Sequence, residues 1–220
     1  MWDESSFLKL RAEMLDRTLP ALPDVITRAH MRKLEATLAP FLPRYIHNSQ
    51  SLGEHLINFN TIVPSNELLP DGLDSLHSPG DPFVRRMWAG GSMVLDVTSH
   101  YSEGDRGWKF DKRLWGVERI KDVQMRGPKG EEKVFVIIER WFARDLALRK
   151  TAKKELGRRG YDIEEKIPTL LRRQMEEKEE WGDATLVEER NLVFLKARGE
   201  NELEAFRTGQ LAPVRYLERW

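Results

Sequence analysis

The chain has 220 residues and equal numbers of basic and acidic side chains, 36 of each, so its formal net charge is zero. Nucleic-acid-binding proteins usually carry a basic surplus that displaces counterions, and this composition has none. The absence of cysteine excludes disulfides, thiol nucleophiles and cysteine-ligated zinc.

Two helices are predicted at the start of the chain. The first begins at Ser5 or Ser6, either of which can cap it. Its apolar face consists of Phe7, Leu10, Met14 and Leu15. The second begins near Asp24 and is closed by prolines at 40 and 43. Its predicted buried stripe consists of Ile26, Ala29, Leu34 and Leu38. The next stretch, 48–82, shows no sustained hydrophobic periodicity and is long for a loop. We therefore interpret it as a functional loop or as a segment packed against another surface.

The rest of the chain is predicted to be mostly strands. They cover residues 93–98, 114–126, 133–144 and 185–196, with a Gly-Pro-Lys-Gly turn at 127–130 making the middle pair a hairpin. The solid apolar run at 134–138 predicts a strand covered on both faces. Between the last two strands, residues 145–181 are rich in charge and predict a partly exposed helical insert. A short helix is expected at 202–207. This order predicts an antiparallel α+β domain.

Several motifs resemble one known family. The sequence LLPDGLDSLHSPG at 68–80 leads into PFVRRMWAGGS at 82–92, and EEKVFV at 131–136 and VEERNLVFL at 187–195 follow. Together they resemble the amino-terminal half of fungal hydroxyacyl-thioester dehydratase type 2 proteins, and they are similar to the mesaconyl-CoA hydratases of bacteria. The resemblance runs from about residue 50 to 200. It implies a MaoC-like hot-dog fold, in which a curved antiparallel sheet packs on a helix.

The resemblance also implies a domain organisation. Residues 1–47 would form amino-terminal helices, 48–200 a single hot-dog module containing the insert, and 201–220 a tail. Family members are double hot dogs that add or remove water across an enoyl-thioester bond, with a catalytic histidine and carboxylate in the second module. The sequence ends at Trp220, near where that module would begin. We therefore expect the family's own catalytic pair to be missing here.

Histidines near the long loop are the candidate proton-transfer groups, because the pKa of histidine lies close to working pH and loops often carry sites. We predict His55 and His77 as catalytic, together with Asp71. His55 follows a glycine and leads to Phe59, as in the family the sequence resembles. His30, in the second helix, is given a structural or surface role, and His100 is expected in a loop that follows a strand.

A second set of residues is predicted to bind substrate. Its members are Phe59, Asp74, Arg85, Arg86, Trp88, Gly90 and Gly91. The two arginines could grip a phosphate of coenzyme A or phosphopantetheine, or could form structural salt bridges. The residues around Trp88 favour a core position for it, because a large aromatic side chain between Met87 and Ala89 is usually buried. The glycine pair could admit a ligand close to the backbone, or could simply bend the strand.

Three functions remain open at this level. The first is a dehydratase-family protein of fatty acid or polyketide metabolism that binds an acyl-CoA or acyl-carrier-protein thioester and works as a homodimer or with a catalytic hot-dog subunit. The others are a repurposed isomerase, cyclase or dehydratase for a small molecule, and a structural subunit. No cofactor, metal or nucleic acid is expected. No apolar run reaches the roughly 20 residues that span a bilayer, and the acidic start suggests a cytoplasmic protein, or a mitochondrial one whose leader has been removed.

The charged insert has two interpretations. Its first part is basic and could dock an acidic acyl carrier protein, or it could be an ordinary solvated helix face. The basic residues concerned are Arg149, Lys150, Lys153, Lys154, Arg158 and Arg159.

Overall fold

The computed structural model describes residues 4–41, 53, 55–69, 72–156, 163–177 and 180–197. In chain order the elements are α1 Glu4–Leu15, β1 Leu22–Val25, α2 Arg28–Leu38, α3 His55–Asn58, β2 Arg85–Leu95, α4 Val97–His100, β3 Arg113–Arg126, β4 Lys133–Arg144, α5 Asp145–Leu156, α6 Ile163–Glu176 and β5 Ala184–Leu195. A turn of 3-10 helix lies at Ser65–Glu67. The expected helix at 202–207 and the tail lie outside the described residues.

Within the described residues the strands form one antiparallel sheet in the order β1-β3-β4-β5-β2. The predicted hairpin is confirmed as β3 and β4, whose residues pair from Leu114 with Arg144 to Arg126 with Lys133. Gly127 and Gly130 both have positive φ in the turn between them, a conformation that glycine adopts without steric cost. The predicted antiparallel α+β class is therefore confirmed.

The start of the second helix was predicted wrongly. Residues 22–25 are extended and pair with β3, and the helix begins only after Thr27, whose hydroxyl accepts a hydrogen bond from the His30 N–H. Ile26 is buried but precedes the helix, whereas Ala29 is exposed and Met31 takes the buried position. The predicted apolar stripe therefore combined Ile26, which lies in the segment before the helix, with residues of the helix itself.

The strand predicted at 93–98 begins earlier and ends earlier. β2 starts at Arg85, so the arginine pair and Trp88 lie within the strand. It ends at Leu95, and Asp96 caps the short helix α4 by accepting a hydrogen bond from the Ser99 N–H. The register of β2 against β5 shifts between Trp88 and Gly90. This bulge explains why the strand was predicted to begin only after the two glycines.

The charged insert covers one face of the sheet, called here the back face. The inner sides of α5 and α6 bury Leu148, Ile167 and Leu171 against Trp115 and Trp141 of the sheet. Trp115 Nε1 also donates a 2.8 Å hydrogen bond to Asp145 at the start of α5. The insert has a charged outer side, as expected, and an apolar inner side that supplies one of the protein's core clusters.

The opposite face, the front face, carries two apolar clusters. One includes Leu10 and Met14 of α1 together with Val134, Val136 and Phe194 of the sheet. The other is built around Ile26, Phe59, Trp108 and Phe142. The run at 134–138 was expected to be covered on both faces, but Phe135 and Ile137 are only half-buried, so its coverage alternates. Among the described helices, none is both long and apolar enough to cross a membrane.

Candidate functional site

Charged side chains occupy the middle of the front face, between its two apolar clusters. Glu118 of β3 pairs with Arg140 of β4, and Arg140 pairs with Glu188 of β5, so the three side chains lie in one row on the same face. Arg140 is 1% exposed, and its Nε and Nη1 lie 3.1 and 2.8 Å from Glu118 Oε2 and Glu188 Oε2. Its Nη2 donates a 2.7 Å hydrogen bond to the carbonyl of Phe59. All three guanidinium nitrogens are thus engaged.

Each of these carboxylates also contacts a histidine. His77 Nε2 lies 3.0 Å from Glu118 Oε1, and His55 Nε2 lies 3.3 Å from Glu188 Oε2. His55 is 1% exposed and packs edge-on against Phe142, with ring centroids 4.9 Å apart. The front face therefore holds two histidine–carboxylate pairs that share one buried arginine.

The surroundings keep both carboxylates ionised. Burial by itself would raise the pKa of Glu188, but the contact with His55, the hydrogen bond from Arg190 and the charges of Arg140 and Arg190 lower it to about 2. Burial likewise opposes ionisation of Glu118, and its contact with His77 and the charges of Arg140 and Arg190 still lower its pKa. The pKa of Arg140 is lowered, first by burial and then by the charge of Arg190.

A cavity of about 460 Å³ opens beside this network on the front face. This volume is within the usual range for small-molecule sites. Its polar lining includes Asp74, His77, Arg86, Glu118, Arg140 and Arg190, and its apolar lining includes Phe59, Trp88, Ile138 and Leu192. The cavity therefore combines an apolar wall, a histidine beside a buried carboxylate, and guanidinium groups.

The structure brings together some of the residues predicted from the sequence and separates others. Those that line the cavity are Phe59, Asp74, His77, Arg86 and Trp88. Trp88 is 58% exposed, so the alternative of a core residue is wrong. His55 belongs to the buried network but not to the cavity wall, and Asp71 lies outside the described residues.

Three predicted binding residues lie away from the cavity. The Nε of Arg85 donates a 2.7 Å hydrogen bond to the carbonyl of Lys196. Gly90 has a φ of 139° at the bulge of β2. A Cβ at Gly91 would stand 2.3 Å from the carbonyl oxygen of Glu189, so this glycine permits close strand pairing. These placements favour structural roles for all three.

Four charged residues at this site were not predicted from the sequence: Glu118, Arg140, Glu188 and Arg190. Each is a charged residue on a strand, and for Glu118 and Arg140 the neighbours two residues away on both sides are buried. In Ile138-Glu139-Arg140-Trp141-Phe142, for example, Arg140 alternates with front-face apolar residues. A charged residue at a strand position where the alternating pattern predicts a buried apolar side chain indicates a buried ion pair or a functional site. This pattern is visible in the sequence of β4 without the structure.

His100 was expected in a loop and instead lies buried at the end of α4. Its ring packs against Trp108, with centroids 4.6 Å apart, and its Nδ1 lies 3.4 Å from the Thr185 hydroxyl. Burial, and then the charge of His55, lower the pKa of His100 to about 4, although Asp96 opposes the shift. His30, by contrast, is exposed on α2.

A larger cavity, of about 840 Å³, lies between the loop after α1, the edge of β3 and α6. Its cations are paired locally. Arg119 lies 2.5 Å from Glu139, Lys121 lies 2.7 Å from Glu189, and Arg172 donates to the carbonyl of Leu19. Among the described residues, no group of three or more acidic, histidine or cysteine side chains could hold a metal ion. The front-face cavity is therefore the stronger candidate site.

The chain is similar to a known protein family and to a solved structure. The model of the hydroxyacyl-thioester dehydratase type 2 family matches residues 53–161. No curated protein matches the chain. The crystal structure of the ChsH1-ChsH2 complex from Mycobacterium tuberculosis is similar at 7% identity, with a TM-score of 0.44 and coverage of 90% of this chain and 96% of that chain. The single antiparallel sheet of the described residues, with helices packed on its faces, agrees with the hot-dog fold that the sequence motifs imply.

Proposed function

The chain belongs to the hydroxyacyl-thioester dehydratase type 2 family, and from this premise we propose that its front-face cavity binds a 3-hydroxyacyl or enoyl thioester and interconverts the two. Family membership supports a dehydratase-like function. The observation that carries the proposal is the position of His77, which lines the cavity and has a buried carboxylate 3.0 Å from its Nε2.

The histidine–carboxylate pair suits the proton transfers of this reaction. In the tautomer with its proton on Nε2, the nitrogen that lies 3.0 Å from Glu118 Oε1, His77 carries its lone pair on Nδ1. That nitrogen would take the α-proton of a 3-hydroxyacyl thioester. The resulting imidazolium would then return the proton to the β-hydroxyl, which leaves as water while the α,β double bond forms. Glu118 stays ionised throughout and stabilises the imidazolium, as its lowered pKa supports.

Arg140 would act as a positioning residue for this pair. It contacts the second oxygen of Glu118 at 3.1 Å and is itself held by Glu188 and the Phe59 carbonyl. A carboxylate fixed on one oxygen can orient an imidazole on the other. The apolar wall of Phe59, Trp88 and Leu192 would receive the acyl chain.

Hydration of crotonyl-CoA, followed as loss of enoyl absorbance, tests the proposal. Wild-type protein should turn over, and His77→Gln should lower kcat/KM by about 100-fold or more, the usual contribution of a positioned proton-transfer group. His30→Gln, a matched change at an exposed helix position, should leave kcat/KM unchanged.

Two outcomes would reject this proposal. One is a folded His77→Gln variant that retains full turnover. The other is a wild-type protein that binds thioesters but never hydrates them, which would favour the alternative in which a separate hot-dog subunit supplies the catalysis. Thermal unfolding of each variant, measured beside the assay, separates loss of chemistry from loss of fold.

We also propose a second copy of the chain as the partner of β2. Within the described residues β2 is an edge strand, paired only with β5, and it exposes Met87, Trp88 and Val94 by 59%, 58% and 53%. An antiparallel strand can pair with its own copy about a two-fold axis. That pairing would set the two-arginine end of each strand against the uncharged end of the other, so like charges stay apart.

Light scattering tests this partner. We expect twice the chain mass for the wild type and the single-chain mass for Val94→Lys, because a charge at the edge blocks strand pairing. Leu8→Lys, at an exposed apolar position on α1, is the control and should keep the wild-type mass. A monomeric wild type would exclude the second copy and leave a different hot-dog subunit as the alternative.

A further inference from the structure

Arg86 lines the front-face cavity from β2, the strand at its open side. Its Cα pairs with that of Phe194 in β5, and its Cζ lies 6.0 Å from the centre of the Phe194 ring. Its Nη2 is buried and has no hydrogen-bond partner among the described residues. Burying a guanidinium nitrogen without an acceptor is unfavourable, because the group gives up its water and gains no bond in return.

The other cavity arginines differ from Arg86 in this respect. Arg140 contacts two carboxylates, and the Nε of Arg190 donates a 2.6 Å hydrogen bond to Glu188. No carboxylate of the described residues lies at ion-pair distance from Arg86. Its neighbour Arg85 points elsewhere and is engaged by the Lys196 carbonyl. Arg86 is therefore a cation at the cavity wall whose charge the described protein does not offset by a direct contact.

We infer that Arg86 forms an oxyanion subsite that binds a carboxylate or phosphate group of the ligand. A guanidinium offers paired N–H donors that match such groups, and its charge strengthens the hydrogen bonds. Arg190 adds positive charge nearby, with its Cζ 5.8 Å from the Trp88 ring. The inference rests on the proposed function in taking the ligand to be an acyl thioester, and it adds that this ligand carries an anionic group.

The anionic group has two sources in such a ligand. It could be a carboxylate at the far end of the acyl chain, or a phosphate of the carrier arm. Arg86 and His77 line the same cavity of about 460 Å³. A carrier phosphate is separated from the thioester by the whole pantetheine arm. The short distance that such a cavity spans therefore favours a carboxylate on the acyl group when the reacting carbon is beside His77.

Calorimetric titration with matched ligands tests the inference without turnover. The ligands are the glutaryl and pentanoyl thioesters of N-acetylcysteamine, which differ only by a terminal carboxylate against a methyl group, and free coenzyme A. Wild-type protein should bind the glutaryl compound at least about 10-fold more tightly than the pentanoyl one, in line with a charge-assisted hydrogen bond. Arg86→Met should reduce this ratio to near one, and Arg85→Met, outside the cavity, should preserve it.

Each remaining result has a defined meaning. Equal binding of the two small thioesters, with coenzyme A weakened about 10-fold by Arg86→Met, would assign the subsite to a phosphate and would still support it. Affinities that do not change in Arg86→Met, or no binding of any of the three ligands, would overturn it. Arg86→Lys keeps the positive charge and serves as a control for a loss of binding that is caused by misfolding. None of the ligands has an enoyl bond or a β-hydroxyl, so an inactive protein with Arg86-dependent binding would reject the hydro-lyase proposal alone.

Discussion

Replacing Arg140 with methionine is expected to lower the free energy of unfolding by about 3–5 kcal/mol, the usual cost of removing one partner from a buried ion pair. The side chain is 1% exposed and lies between Glu118 and Glu188, which are 4% and 2% exposed. Methionine would leave both carboxylates buried beside fewer cations. It would also leave the Phe59 carbonyl without its 2.7 Å hydrogen bond. Urea denaturation at neutral pH measures the change.

Arg173→Met is the matched control for this experiment. Arg173 also contacts a carboxylate, Glu155 at 2.7 Å, but its side chain is 45% exposed. Exposed ion pairs contribute about 0–1 kcal/mol, so this variant should stay within about 1 kcal/mol of wild type. If the two substitutions proved equally mild, the buried ion pairs of Arg140 would contribute no more to stability than an exposed pair, contrary to this expectation.

Acidification from pH 7 to pH 4 is expected to remove about 3 kcal/mol of stability through His100. Its folded-state pKa, about 4, lies below the ordinary value of 6.5, because burial and the charge of His55 disfavour the imidazolium. The stabilisation is therefore complete above pH 6.5 and is lost as the pH falls from 6.5 toward 4, since the unfolded chain binds the proton first. Asp96 favours protonation and moderates the effect.

Stability measured against pH, for wild type and for His100→Gln, checks this expectation. The glutamine variant should be less stable at pH 7, because it disturbs packing against Trp108, but its stability should change less between pH 7 and pH 4. Parallel curves for the two proteins over that range would contradict it. At lower pH, protonation of the carboxylates dominates the loss of stability. The pKa of Glu188 is lowered from 4.5 to about 2, so the stability that it contributes is lost as the pH falls from 4.5 toward 2.

The sequence predicted the parts of the fold that depend on neighbouring residues. The β3–β4 hairpin follows from a glycine-rich turn between two β-rich runs, and α5 and α6 follow from their composition. β1 was missed because only four residues form it, and what holds them extended is pairing with β3, nearly 100 residues later. No local pattern carries information about that partner.

The site was predictable to a similar extent. His77, Arg86 and Trp88 were identified from a motif that the structure places at the cavity wall. Glu118, Arg140 and Glu188 come from three separate strands, and they meet because the register pairs Glu118 with Arg140 and Arg140 with Glu188. A shift of one residue in either pairing would turn these charges toward opposite faces, so their meeting depends on register that the sequence does not display.

The helical insert has a consequence for how the chain can vary. It joins β4 to β5, which are hydrogen-bonded neighbours, so a tight turn from Arg144 to Ala184 would be enough to connect them. Such a shortened chain could keep the front face intact, yet it would uncover Trp115, Val117 and Trp141, and a continuous apolar patch of that kind favours aggregation. The length of the insert is therefore constrained by solubility even where the chemistry on the other face makes no use of it.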